Sequence, residues 1–168
     1  SLNSIQMLSK DEGWAAGGVP YNIPGMAVIL HYKDGVWTKV YDSESDNLWM
    51  DLASIHMLSA SQGWATGSGE SFSPGYLLHW DGQAWHIETK AVDMIHAVTA
   101  GGQTAWAGGH ENFLRWDGRT WAAVDLSEDL NYDVQSMANL PDGRLCFSVE
   151  LTVDYIGGTS IVCEKGNG

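Results

Sequence analysis

Apolar and aromatic residues fall along the chain in short, strand-sized runs, and each run stops at a glycine-rich, Asp-Gly or Ser/Pro-rich turn. The longest apolar run, Met26-Ala27-Val28-Ile29-Leu30, is no longer than one strand. No stretch sustains a helical apolar period between caps, so the pattern predicts almost no helix. In the first part of the chain Ile5, Met7 and Leu8 predict a strand, Trp14-Ala15-Ala16 a second, Met26 to Tyr32 a third and Trp37 to Val40 a fourth. A short turn at Lys10 to Gly13, a Pro/Gly loop from Gly17 to Gly25 and the pair Asp34-Gly35 separate them. Asp-Gly between aromatic-rich runs signals a hairpin, because Gly tolerates the positive φ of tight turns. Four short antiparallel strands of this kind make one sheet.

The same order then recurs. His31-Tyr32-Lys33-Asp34-Gly35-Val36-Trp37 is echoed by His79-Trp80-Asp81-Gly82-Gln83-Ala84-Trp85 and by Arg115-Trp116-Asp117-Gly118-Arg119-Thr120-Trp121. Upstream, Ser4-Ile5-Gln6-Met7-Leu8-Ser9 with Gly13-Trp14-Ala15 returns as Ser54-Ile55-His56-Met57-Leu58-Ser59 with Gly63-Trp64-Ala65. Aligning Ile5, Ile55, Ile95 and Val134 as strand-one positions gives repeats over about 4–41, 54–89, 94–125 and 134–168. Units of about 40 to 50 residues with four strands each predict β-propeller blades. The last unit stops after a third strand, Ser160 to Cys163, so it is an incomplete blade with an unpaired outer edge. That edge implies either a segment of a longer propeller or multidomain chain, or self-association with another copy. The start at Ser1-Leu2-Asn3, directly before a repeat, gives the same impression of a longer parent.

The pattern Gly-Trp-Ala-x-Gly, then strand, Asp-Gly and Trp, resembles the propeller repeats of photosystem II stability/assembly factor-like proteins. It is also similar to the bacterial neuraminidase (BNR, or Asp-box) repeat, from which Asp81-Gly82-Gln83-Ala84-Trp85 departs by lacking a residue between Asp and Gly. The likeness covers about three of the four repeats, up to Val124. It implies an all-β propeller whose Asp-Gly turns lie away from the ligand face.

Charge narrows the choice of partner. Twenty-one acids against eight Lys and Arg leave a net charge of −13, which repels nucleic acids and anionic membrane surfaces. No apolar window approaches the ~20 residues that a spanning helix needs, and no signal peptide is seen. An extracytoplasmic or cell-surface setting is the expectation. Cys146 and Cys163 fall on neighbouring strands of the last repeat and are expected as two buried thiols, with a bridge as the lesser alternative.

Which residues carry chemistry? The nine aromatics Trp14, Trp64, Trp106, Tyr32, Trp80, Trp116, Trp37, Trp85 and Trp121 recur at fixed strand positions, so they are read as inter-blade core. Asp34, Asp81 and Asp117 are read as acceptors of backbone N–H groups within their own turns. His56 and His96, with Gln6 and Gln135, are expected to form a polar ring on the innermost strands, near a central channel; two His with two Gln make a poor metal set. Arg115, Arg119 and Arg144 cannot assemble a sialidase triad, and no nucleophile, phosphate or zinc motif is present.

The loops that join strand two to strand three, and one blade to the next, hold 14 of the 21 acids. Candidate ligand-binding residues on that face are Asp46, Trp49, Tyr21, Phe72, Tyr132 and Tyr155. The reading is a non-enzymatic binding module for a protein or carbohydrate ligand, with no cofactor; Asp42-Ser43-Glu44-Ser45-Asp46-Asn47 would at most hold Ca²⁺ weakly. The alternatives are part of a glycoside-hydrolase-like propeller enzyme completed by residues outside this segment, or a structural assembly platform.

Overall fold

A computed structural model describes residues 1–18, 26–69, 74–91, 93–102, 104–126, 131–153 and 156–164. Among them the regular elements are all strands, gathered into four antiparallel sheets. The first blade holds β1 (Leu2–Met7), β2 (Glu12–Gly17), β3 (Val28–Lys33) and β4 (Val36–Asp42). The second holds β5 (Met50–Ser59), β6 (Gln62–Gly69), β7 (Gly75–Trp80) and β8 (Trp85–Ala91). In the third are β9 (Ala97–Gly101), β10 (Thr104–Gly109), β11 (Asn112–Trp116) and the short β12 (Trp121–Ala123). Among the described residues the fourth has three strands, β13 (Asn131–Asn139), β14 (Leu145–Val153) and β15 (Ile156–Cys163). In every blade sequential strands are neighbours, as a meander requires. No helix among the described residues is long and apolar enough to cross a membrane.

The hairpins close as their residues dictate, in two ways. Asp34 and Gly35 both have positive φ (49° and 88°), the signature of a two-residue type I′ turn. The later Asp-Gly loops are longer and are held by the aspartate itself. Asp81 Oδ1 accepts from the Gln83 and Ala84 N–H groups at 2.8 and 2.9 Å, and Asp117 Oδ1 does the same for Arg119 and Thr120. These bonds favour the ionised form, so the Asp81 carboxyl is lowered to about 2, and that of Asp117 is lowered for the same reason.

Blades pack in chain order. β1 and β2 lie on β5, β5 and β6 on β9, and β9, β10 and β11 on β13, so the strand-one members of successive blades adjoin, as at the axis of a propeller. Among the described residues none of the extensive strand-to-strand packing runs from the fourth blade back to the first. Each interface is built from the recurring aromatics. Trp14 projects from β2 onto Trp80 and Trp85 of the second blade, with ring centroids 5.0 and 5.9 Å apart. Trp64 meets Trp116 and Trp121 of the third at 6.1 and 6.0 Å, and Phe113 beside Trp106 meets Phe147 of the fourth at 5.0 Å. Trp14, Trp64 and Trp106 are buried. Among the described residues the indole N–H groups of Trp14, Trp64, Trp85 and Trp121 reach no acceptor, so these rings hold their interfaces by packing. The glycine ending Gly-Trp-Ala-x-Gly has a steric reason: a Cβ on Gly17, Gly67 or Gly109 would run into the backbone of Ser1, Asp51 or Met94 in the approaching segment.

Hydrogen bonds between inner strands explain the Ser-Ile-x-Met motif. Ser4 Oγ accepts from the Ile55 N–H at 3.2 Å, and Gln6 clamps both backbone groups of Met57, accepting from N–H at 2.6 Å and donating to C=O at 3.0 Å. Ser54 Oγ accepts from the Val98 N–H, and the Asn139 amide donates to Thr99 Oγ1. His56 engages the Ala100 backbone, and burial lowers its pKa.

Three expectations are corrected here. First, the polar ring does not form as aligned. Opposite the strand-two positions Trp14, Trp64, Trp106 and Cys146 stand Gln6, His56, Thr99 and Ala138, so His96 and Gln135 lie three residues out of register. The Ile95-His96 pair imitates Ile55-His56, but Val98 is the residue that meets Ala107 as Ile55 meets Ala65. Second, Cys146 and Cys163 are not thiols; they pair across β14 and β15 and form a disulfide. Third, Trp37 is exposed rather than core: its counterpart Trp85 is covered by Trp14 of the first blade, and among the described residues no ring of another blade packs on Trp37.

Candidate functional site

The segment from Asp42 to Trp49 carries the chain from the first blade to the second. Its turn is built by its own short polar side chains. Ser43 is buried and locked to Ala27 in both directions: its Oγ accepts from the Ala27 N–H at 2.9 Å and its N–H donates to the Ala27 carbonyl at 3.0 Å. The N–H groups of Asp46 and Leu48 return to the Ser43 carbonyl, and Asn47 takes up the left-handed conformation at φ 53°. Asp42 accepts from the N–H and Oγ of Ser45 through Oδ1, and Lys39 approaches its Oδ2 at 2.7 Å. That pairing lowers the Asp42 carboxyl and raises the Lys39 ammonium.

Beside this turn opens a cleft of about 350 Å³ lined by Lys39, Val40, Tyr41, Asp42, Ser45, Asp46, Ala84 and Trp85. It lies between the outer strand of the first blade and the start of β8 in the second. Tyr41 donates its hydroxyl to Asp46 Oδ2 at 2.9 Å. Burial of the phenol, and next that hydrogen bond, push the Tyr41 pKa well above the tyrosine range, so it stays a neutral donor. Lys39 and Asp42 reach the same cleft through a bulge. Residues three apart in a regular strand point to opposite faces, but the irregularity opposite Ile29 and Leu30 restores them to one side. With the Lys39 charge matched by Asp42, the Asp46 carboxylate leaves the cleft net negative.

Of the residues singled out from the sequence, Asp46 lines this cleft, and Trp49, three residues further on, exposes its ring to solvent. Tyr132 does not join them. It is buried at the interface of the third and fourth blades with Trp106, Phe113 and Leu151, where burial raises its phenol pKa. Tyr21, Phe72 and Tyr155 lie outside the described residues. Lys39, Ala84 and Trp85 carried no signal as ligand-face residues, because only the strand bulge and the packing of adjacent blades bring them to the cleft.

Elsewhere three imidazoles lie beside carboxylates. His79 faces Glu88 at 3.5 Å, His110 faces Asp93 at 3.0 Å and His96 faces Asp133 at 3.3 Å. The last of these joins the third blade to the fourth. Among the described residues no three His, Cys, Asp or Glu side chains converge as a metal site, and the carboxylates of Asp42 and Asp46 are engaged by Ser45, Lys39 and Tyr41.

The fold is that of an all-β propeller array with an incomplete last blade. No protein-family model matches the chain, and no curated protein matches it. Among solved structures it is similar to one described as YCF48 bound to D1 peptide. The two share 15% identity and a TM-score of 0.51, over 96% of this chain and 67% of that one. At that identity the likeness is one of fold.

Proposed function

We propose that this chain is a non-enzymatic binding module that takes a basic peptide segment of a partner protein on the face carrying the 42–49 loop. The observation that carries the reading is the net-negative cleft beside that loop, with Asp46 and a neutral Tyr41 hydroxyl in its wall and the exposed Trp49 ring on the same loop. A carboxylate and a phenol suit lysine or arginine side chains and peptide amides, and an exposed indole suits an aliphatic stem or a guanidinium plane. That the YCF48 structure holds a peptide is in keeping with peptide recognition on such a fold. A hydrolase would need two facing carboxyls with divergent pKa values. Among the described residues the one carboxyl raised above its ordinary range is Asp51, shifted by burial, and its side-chain partner is the Asn3 amide. The Cys146–Cys163 bridge suits an oxidising compartment.

The test is titration of an array of short peptides graded in net charge, read by anisotropy at two salt concentrations. Cationic peptides should bind, and more weakly as salt rises. Asp46→Ala combined with Trp49→Ala should cost about tenfold or more in affinity, roughly 1.4 kcal/mol, while Asp117→Ala, in the equivalent turn of the third blade and away from the cleft, should change little. Loss of binding in a folded Asp117→Ala protein, with the loop variant unaffected, would show that the wrong face was chosen.

A further inference from the structure

The blades repeat not only their strands but their two faces, and the repetition says what belongs on the face that the first blade leaves bare. Ile55, Met57 and Trp85 of the second blade are 5, 2 and 7% exposed, because the first blade covers them. Their counterparts in the first blade are Ile5, Met7 and Trp37, fixed by the same register against Ala15, Gly13 and Tyr32 as against Ala65, Gly63 and Trp80. These three are 64, 47 and 40% exposed. At the far end of the array the fourth blade is bare on its opposite face. There Ile161 is 79% exposed, and alternation along β15 puts it on the same side as the Cys146–Cys163 bridge. Each blade therefore offers one face to its predecessor and the other to its successor, and the two unused faces are of opposite kinds.

The polar clamp shows the same polarity. Ser4 and Ser54 each follow a bulge on strand one and accept the N–H of Ile55 and Val98 in the next blade. Ser136 holds that bulge position in the fourth blade, exposed, and the Ile5 N–H holds the receiving position in the first. We propose that the bare face of the first blade is a docking surface for the fourth blade of a second copy of this chain, head to tail, with Ser136 meeting Ile5 and Ile161 covering Met7 and Trp37. Such an interface continues the inter-blade interface already present within the chain. Formed twice about a two-fold axis, it makes a closed ring of eight blades, the upper end of the common propeller sizes.

The experiment is sedimentation velocity across a concentration series, with Ile5→Asp and Ile161→Asp as variants and circular dichroism to confirm folding. The wild-type chain should form a dimer that strengthens with salt, because each copy carries a net charge of −13 and screening relieves that repulsion. Peptide binding at the acidic cleft has the opposite salt dependence, so the two readings fail separately. Either substitution alone should weaken dimerisation at least about tenfold. An equimolar mixture of the two variants should regain association, since one intact head then meets one intact tail. Head-to-head pairing would leave Ile161→Asp dimeric, tail-to-tail pairing would leave Ile5→Asp dimeric, and either result overturns the proposal. So does a wild-type chain that stays monomeric, which would assign the bare face to a preceding blade of a longer polypeptide.

Discussion

Gln6 is the clearest single test of how the blades are joined. Its amide makes two bonds to one backbone residue of the next blade, the N–H and C=O of Met57. Gln6→Met keeps length and apolar bulk and removes both. At about 0.5–1.5 kcal/mol net per bond the loss is roughly 1–3 kcal/mol, or a fall in Tm of about 2–4 °C per kcal/mol for a chain of this size. Urea unfolding followed by tryptophan emission reads it, because Trp14 and Trp85 meet at this junction. An array stabilised by neighbour interfaces should also lose cooperativity, seen as a shallower transition when the first junction weakens. Gln6→Glu adds a pH signature. The carboxylate would face the Met57 carbonyl, so its folded-state pKa is raised; the stability it retains is present below the unfolded carboxyl pKa and lost as pH rises through the folded value. Gln83→Met, in the exposed second hairpin turn, is the control and should stay within about 0.5 kcal/mol of wild type. A Gln6→Met midpoint indistinguishable from that control would refute the clamp as an energetic link.

Other outcomes follow from the same structure. Reducing Cys146–Cys163 opens a closure of 17 residues, worth about 3 kcal/mol in the chain-entropy account; urea midpoints with and without reductant measure it, and equal midpoints would contradict it. Trp64→Ala should cost about 3–5 kcal/mol as a buried inter-blade ring, whereas Trp37→Ala should cost less than about 1 kcal/mol in the monomer, and equal losses in denaturant titrations would deny the difference in burial. Asp81 contributes stability that is complete above the unfolded carboxyl pKa and is lost as pH falls through about 2. NMR titration of its carboxyl carbon should show that midpoint, and a value near 4 would deny the turn bonds.

Much of this fold is legible in the sequence because propeller blades are built by repetition of large, distinctive residues. The Trp14, Trp64 and Trp106 series and the Asp-Gly turns mark strand two and the strand three–four hairpin directly. The inner strands were harder to align. They are short, they carry bulges at Asn3, Ala53 and Gln135, and Ile95-His96 reproduces the local pattern of Ile55-His56 three residues too early. Register there is set by pairing with strand two, which a one-dimensional pattern does not contain. The site was partly visible: Asp46 and Trp49 follow from loop placement, but Lys39 reaches the cleft only through a strand bulge, and Tyr132 looked like a loop aromatic because its segment reads as polar. The disulfide is not legible in one dimension, since two cysteines 17 residues apart reveal partnership only once Cys146 and Cys163 are seen as direct cross-strand partners.

That cross-strand position links the odd fourth blade to the other three. In the first blade it holds Trp14 opposite His31, stacked with centroids 4.0 Å apart, and in the second Trp64 opposite His79 at 5.5 Å. In the third it holds Trp106 opposite Arg115, whose guanidinium lies 5.2 Å from the indole centroid. In the fourth it holds Cys146 opposite Cys163. An aromatic ring paired with a cation or imidazole is stabilising where a following blade buries it and where a fourth strand steadies the sheet. Among the described residues the fourth blade has three strands and no blade packs on its outward face, so a tryptophan there would have little of this sheet to pack against. A covalent link between the same two strands needs neither neighbour nor burial, and it holds β15 to β14 at the edge where the hydrogen-bonded ladder ends. The pair that joins blades elsewhere is thus replaced by one that secures the three-stranded sheet itself, and any partner of that face meets a small, rigid surface instead of an indole.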